Sequence, residues 1–200
     1  MSARKGILGG TFNPPHLAHL IVAHEVREAM ALDLVVLIPT ASHPFKGEAA
    51  ASPRDRAAMA ELAVAGDPWL NADRIEVQRG GTSYTVDTLR ELREREPDTV
   101  WHLIVGHDNL ADLDRWREAE ALPELADLVV ITRGTTSPMI ELPHGGLSTL
   151  VAVPALDISS TAIRERVAAG RSIRYWVPPS VEAYIGQHGL YRPERRDGPY

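Results

Sequence analysis

Residues 5–20 read Lys-Gly-Ile-Leu-Gly-Gly-Thr-Phe-Asn-Pro-Pro-His-Leu-Ala-His-Leu. A short apolar run, Ile7 and Leu8, ends in Gly9 and Gly10 and turns a corner at Pro14 and Pro15. It delivers His16 and His19 where an apolar-periodic segment begins. The pattern predicts a buried strand, a tight glycine turn and a helix that opens on a pair of imidazoles. Glycines let a backbone approach a ligand closely, and the first turn of a helix has N–H groups without intrahelical partners. With the positive end of the helix dipole they form an anion site before any side chain contributes. Two imidazoles add donors aimed at the same spot, so this stretch predicts phosphate binding.

The rest of the chain alternates in the same way. Strands are expected over residues 7–9, 34–39, 70–78, 100–105, 128–132 and 149–153. Helices are expected over 17–31, 54–65, 84–94, 115–125 and 159–169. The run Leu-Val-Val-Leu-Ile-Pro at 34–39 is apolar throughout, the mark of a parallel strand covered on both faces. Ser52 and Pro53 supply a cap and a first helical position. Residues 134–146, rich in Thr, Pro and Gly, read as a mobile loop, and the polar tail 192–200 reads as flexible. Strands separated by helices imply an α/β fold with a single doubly wound parallel sheet, one domain over residues 1–191. Ligands in such sheets sit beyond the carboxyl ends of the strands. Four polar stretches, 9–19, 40–46, 106–108 and 158–164, fall at or soon after such ends, so they are expected to converge on one crevice.

Composition narrows the class. With 200 residues and 44% hydrophobic content the chain is long enough for one core. The absence of cysteine excludes disulfides, thiolate metal sites and cysteine nucleophiles. A formal charge of -6 argues against a general nucleic-acid surface, which needs many cationic contacts. No apolar run reaches the ~20 residues that span a bilayer, and the first residues lack a signal-peptide core. A cytoplasmic protein with neither nucleic-acid nor membrane partners is the expectation.

Late in the chain stands Asp157-Ile-Ser-Ser-Thr-Ala-Ile-Arg164. Taken alone, the hydroxyl run is an ordinary N-cap signature. Arg164, one turn beyond Ser160 on the same helical face, adds a guanidinium to the free N–H groups and hydroxyls, a set suited to a di- or triphosphate.

The motif Gly-Gly-Thr-Phe-x-Pro-x-His-x-x-His with Ile-Ser-Ser-Thr-x-x-Arg resembles the nucleotidyltransferase superfamily that carries a His-x-Gly-His signature. Further stretches narrow the likeness to the bacterial nicotinate-nucleotide adenylyltransferases. They are Pro44-Phe45-Lys46, Gly81-Thr-Ser-Tyr-Thr-Val-Asp-Thr-Leu89, Gly106-His107-Asp108, Arg115-Trp116 and His188-Gly-Leu-Tyr191. The resemblance implies a Rossmann-like fold and transfer of AMP from ATP to nicotinate mononucleotide, giving deamido-NAD and pyrophosphate. It implies ATP as a substrate, with Mg²⁺ carried on the ATP phosphates rather than in a protein metal site. It places Gly9, Gly10, Thr11 and Phe12 against the nucleotide, His19 at the reacting α-phosphate and His16 at the neighbouring phosphates. Ile158, Ser159, Ser160, Thr161 and Arg164 would border the β- and γ-phosphates, and Lys46 would add charge on the approaching side. Gly106 and Asp108 would meet the adenosine ribose. Tyr84, Thr85 and Trp116 would receive the pyridine nucleotide, with Trp116 stacked on its ring. The resemblance also leaves room for a homodimer.

Other readings of these residues stay open at this stage. Trp116 alone reads equally as a core tryptophan, and Tyr84 and Thr85 as an ordinary helix start. His16, His19 and His24 fall on roughly one helical face, as metal ligands do, but lack an acidic partner at metal spacing. The adjacent His107 and Asp108 are also found in helical phosphohydrolases, whereas 100–105 reads as strand. The charge-rich stretches 91–96 and 192–196 read as solvated surface. Another acceptor, nicotinamide mononucleotide or phosphopantetheine, or a non-catalytic nucleotide sensor, are the alternatives. Two positions depart from the family pattern: Ala18 stands where glycine is usual, and Asn13 where aspartate is common. The first is expected to weaken or shift ATP binding; the second keeps the shape of the turn.

Overall fold

The computed structural model describes residues 2–44, 47, 49–110, 112–133, 139–141 and 147–193. The elements run β1 (Arg4–Gly10), α1 (Leu17–Ala29), β2 (Leu34–Pro39), α2 (Pro53–Val64), β3 (Leu70–Ala72), α3 (Ile75–Arg79), α4 (Thr85–Arg95) and β4 (Val100–Gly106). They continue with α5 (His107–Leu110), α6 (Leu122–Leu125), β5 (Asp127–Arg133), β6 (Met139–Glu141), β7 (Leu147–Val153), α7 (Ser160–Ala168) and α8 (Pro179–Gln187). The sheet order is β3-β2-β1-β4-β5-β7-β6. Six strands are parallel, and only β6 runs antiparallel, on β7 at the edge. The doubly wound α/β sheet expected from the sequence is therefore present, with one antiparallel strand added.

Period-two alternation explains why the strands are apolar throughout. Val36 and Ile38 of β2 face one core, with Ile7, Leu103, Val105 and Val130, against Ile75, Val86 and Leu89 of α3 and α4. Val35 and Leu37 face the opposite core, with Leu8, Ile104 and Val129, against Ala23 and Val26 of α1. Strands β1, β2, β4 and β5 contribute to both faces, so these central strands show no polar side in the sequence. A third cluster joins Met59 of α2 to Ile163 of α7 and to Val181 and Ile185 of α8.

Three expectations are corrected. The strand expected over 70–78 stops at Ala72: Asp73 accepts the Ile75 N–H through Oδ1 at 2.8 Å and turns the chain into α3. The helix expected over 115–125 is broken into two 3₁₀ turns and the short α6. Glu118 interrupts it at φ 50°, and Pro123 has no N–H to continue an upstream helix. Within the loop expected over 134–146, residues 139–141 form β6, and the rest of that stretch lies outside the described residues. The tail from 194 also lies outside them. The sequence assigned no element after 169, where the structure has α8.

Leu37 is fully buried at the centre of the second core. Leu37→Ala is expected to cost about 2–5 kcal/mol in urea denaturation, a large part of the ~5–15 kcal/mol typical of a domain.

Candidate functional site

Strand β1 lies between β2 and β4, and the chain leaves it first toward β2 and β3, then crosses back to β4. That reversal opens a crevice beyond the carboxyl ends of β1 and β4. A cleft of about 780 Å³ lies at the end of β1, lined by residues 10–13, His19, residues 40–43, Arg56 and the first turn of α7 at Ser160, Thr161 and Arg164.

The loop after β1 is built from inside. Phe12 adopts φ 47° and folds its buried ring against Gly10, where a Cβ would meet the ring at 3.1–3.3 Å. Asn13 is buried, and its Oδ1 accepts from the Ala51 N–H at 3.2 Å and the Tyr191 hydroxyl at 2.9 Å. Arg164 donates through Nη1 to the Asn13 carbonyl at 2.8 Å and through Nη2 to Thr161 Oγ1 at 3.1 Å. The Ser160 hydroxyl donates to the Pro14 carbonyl at 2.7 Å. The two phosphate-type motifs, 146 residues apart at this bond, are thus fastened to each other.

Arg56, which the sequence reading passed over, makes the second junction. Only 2% exposed, its guanidinium donates to the carbonyls of Thr11 at 2.8 Å, Ala41 at 2.9 Å and Ala51 at 3.3 Å. A signal for it did exist. Position 56 shares a helical stripe with the buried Met59, Ala60 and Ala63, where a charge has no business unless it is held.

His16 occupies the N-cap position of α1, and its backbone N–H donates to His19 Nδ1 at 3.2 Å. The two rings stack with centroids 3.7 Å apart, and Phe12 meets His19 edge-on at 5.0 Å. Because Nδ1 of His19 accepts, the neutral ring carries its proton on Nε2. Burial lowers His16 to about 4. His19 is also held well below the ordinary imidazole value, by burial and then by His16. Both are neutral near pH 7, so they enter the site as hydrogen-bonding groups, while permanent positive charge comes from Arg56 and Arg164. Ser159 caps α7 by accepting the Ala162 N–H at 3.2 Å.

The remaining expected residues fall as follows. Gly9 is exposed at the end of β1, His16 is 5% exposed beside His19, and Ile158 packs on the third cluster. Gly106 ends β4 and Asp108 is exposed in α5. Tyr84 and Thr85 start α4 on a segment joined to the cleft wall, where the Ser83 N–H donates to the Ser42 carbonyl at 2.9 Å. Trp116 is half-buried against the first cluster, and Arg117 lies over the Tyr84 ring at 4.9 Å. None of Gly106, Asp108, Tyr84, Thr85 and Trp116 lines the 780 Å³ cleft itself. Lys46 lies outside the described residues. His24 meets Asp67 at 2.7 Å, and among the described residues no group of three or more His, Asp or Glu is placed to hold a metal.

Residues 7–166 match the model of the cytidylyltransferase-like family. Proteins described as probable nicotinate-nucleotide adenylyltransferases are similar over nearly their whole length. The one from Herpetosiphon aurantiacus is 42% identical, covering 94% of this chain and 98% of its own. That from Roseiflexus sp. is 46% identical with 96% and 99% covered, and one from Thermus thermophilus is 45% identical with 94% and 100% covered. A nicotinic acid mononucleotide adenylyltransferase from Plasmodium falciparum, solved with NaAD, shares the fold. Its TM-score is 0.74 at 20% identity, over 94% of this chain and 97% of its own.

A histidine whose folded pKa is depressed contributes stability that is complete above its unfolded value of 6.5 and is lost as pH falls toward the folded value of about 4. The stability lost between about pH 7 and pH 4.5 is expected to be about 2–3 kcal/mol smaller in His16→Asn than in the wild type. Urea denaturation at both pH values measures the difference, and equal losses would show that His16 is not buried in its neutral form.

Proposed function

From the premise that this chain belongs to the cytidylyltransferase-like family, and within it to the nicotinate-nucleotide adenylyltransferases, we propose how its cleft performs that reaction. The enzyme transfers AMP from ATP to nicotinate mononucleotide, forming deamido-NAD and pyrophosphate. An oxygen of the acceptor phosphate attacks Pα, the new O–Pα bond forms, and the bond from Pα to the bridging oxygen breaks as pyrophosphate leaves with the electron pair. The attacking oxygen is already anionic near neutral pH, so no general base is needed. The work is to bring two anions together and to stabilise charge on the leaving group.

The cleft is suited to that work. His19 presents its Nε2–H to the α-phosphate, with His16 stacked on it beside the neighbouring phosphates. A phosphate arriving there favours the protonated imidazole and opposes the effect of burial. The backbone of residues 9–12 borders the nucleotide. Ser160, Thr161 and Arg164, with the free N–H groups of α7 after Ile158 and Ser159, hold the β- and γ-phosphates. Gly106 and Asp108 receive the ribose at the end of β4, and Lys46 adds charge on the acceptor side. Tyr84, Thr85 and Trp116 form the pyridine-nucleotide subsite. Mg²⁺ carried on the ATP phosphates would neutralise part of their charge. The protein offers it no cluster of three acidic or histidine side chains among the described residues. A cytoplasmic location is consistent with a reaction that consumes ATP, and no helix among the described residues is long and apolar enough to cross a membrane.

The observation that carries the proposal is the direct fastening of the His19 loop to the Arg164 helix across one cleft. Pyrophosphate release with ATP and Mg²⁺ is expected to be strongest with nicotinate mononucleotide among that acceptor, nicotinamide mononucleotide and phosphopantetheine. ATP binding without release from any of them would overturn the reading. His19→Ala is expected to lower kcat by about 10²–10³ and leave both KM values within a few-fold. Trp116→Ala is expected to raise KM for nicotinate mononucleotide while sparing that for ATP; a defect confined to ATP would put the pyridine subsite elsewhere.

A further inference from the structure

The chain beyond α8 reaches back to the loop after β1. Helix α8 is seated on α2, where the Ser180 hydroxyl donates to the Leu62 carbonyl at 2.8 Å and the Tyr184 hydroxyl to Asp55 Oδ1 at 2.9 Å. Gly189 ends the helix at φ 62°, and the Leu190 N–H donates to the Ile185 carbonyl at 3.1 Å. Tyr191 then takes φ 62° as well. A bulky aromatic seldom adopts this left-handed conformation, which persists only where its surroundings fix it. Here the ring packs on the third cluster, and the hydroxyl reaches Asn13 Oδ1 at 2.9 Å. For packing alone a phenylalanine would serve, so the hydroxyl is the part that the cluster does not use.

The direction of that bond is set by its neighbour. The Ala51 backbone N–H can only donate, so the Asn13 atom facing it is the oxygen, and the Tyr191 hydroxyl donates to the same oxygen. Burial pushes the Tyr191 phenol above its ordinary value, with Arg164 and Arg56 opposing, so the hydroxyl keeps its proton at neutral pH. Asn13 is buried, and these two donors hold its side chain from two sides. Its backbone carbonyl meanwhile accepts from Arg164 Nη1 at 2.8 Å, while Arg164 Nη2 is held by Thr161 Oγ1 at 3.1 Å. Two tethers fix the plane of the guanidinium and leave further N–H groups for a ligand in the cleft that it lines.

We infer that Tyr191 is a positioning residue for the β- and γ-phosphates of ATP: by donating to Asn13 it fixes the carbonyl that aims the Arg164 guanidinium. Tyr191 does not itself line the cleft, so it acts through Asn13 and Arg164. The inference rests on the reading of Arg164 as the group that holds those two phosphates. Tyr191→Phe keeps the ring on the third cluster and removes only the donor.

AMP shares the adenosine and α-phosphate of ATP and lacks the two phosphates assigned to Arg164, so comparing the two ligands isolates that part of the site. The test is calorimetric titration of ATP and of AMP, each with Mg²⁺, into the wild type, Tyr191→Phe and Arg164→Ala. Tyr191→Phe is expected to raise Kd for ATP about five- to tenfold and to leave Kd for AMP within about twofold. Added to Arg164→Ala, the same change is expected to move Kd for ATP by less than about twofold, because the hydroxyl acts through that guanidinium. Should Tyr191→Phe fail to fold, Asn13→Ala removes the acceptor instead and is read on the same two constants; if neither folds, the bond serves the fold and the inference fails. Equal weakening of ATP and AMP, or of neither, would assign the hydroxyl to the scaffold and overturn the inference, as would an undiminished loss in the Arg164→Ala background. A wild type whose preference for ATP over AMP survives Arg164→Ala would sink the reading of Arg164 and this inference with it. A preference lost in Arg164→Ala but kept in Tyr191→Phe sinks only the inference.

Discussion

The site depends on one buried guanidinium. Arg56 reaches the carbonyls of Thr11, Ala41 and Ala51, which belong to the loop after β1, the loop after β2 and the approach to α2. These loops have no sheet or helix of their own to hold them, yet they form much of the cleft. Burial lowers the Arg56 pKa, with Tyr191 and Glu76 opposing the shift, and the group stays charged because a guanidinium titrates so far above neutral pH. A lysine could not replace it: one ammonium on a flexible stem does not span three carbonyls in a plane.

Around that anchor the charges are divided by kind. The imidazoles are neutral at neutral pH, and the cations are guanidiniums held by carbonyl oxygens rather than by carboxylates. A carbonyl orients a guanidinium without cancelling its charge, so the field of Arg56 and Arg164 remains available to phosphates. Fixed donors and a fixed field are what phosphoryl-type transfer requires, since they need not reorganise as charge moves to the leaving group.

The Asn13 departure has a simple explanation in this arrangement. Its Oδ1 accepts from Ala51 and Tyr191, and neither bond needs a formal charge on the acceptor. An amide therefore meets the geometry of the turn and adds no negative charge where Arg164 is placed. At Ala18, a half-buried position in the first turn of α1, nothing in the structure explains the departure from glycine.

The sequence alone determined the sheet, because alternating burial on two faces needs apolar runs such as 34–39, and it determined the phosphate-type ends of β1 and α7, because turns and caps are written in neighbouring residues. It was least reliable where local pattern was ambiguous. The apolar alternation at Ile75 and Val77 read as strand until Asp73 turned the chain into α3, and the helical composition of 115–125 hid the break at Glu118 and Pro123. Tertiary structure alone decided how the loops are joined. The Arg56 carbonyl contacts, the Thr88–Glu76 bond and the meeting of Asn13 with Arg164 and Tyr191 link positions 5 to 178 residues apart. Such contacts leave little periodic trace in a sequence, because each depends on where the folded sheet carries two distant segments rather than on what either segment is alone.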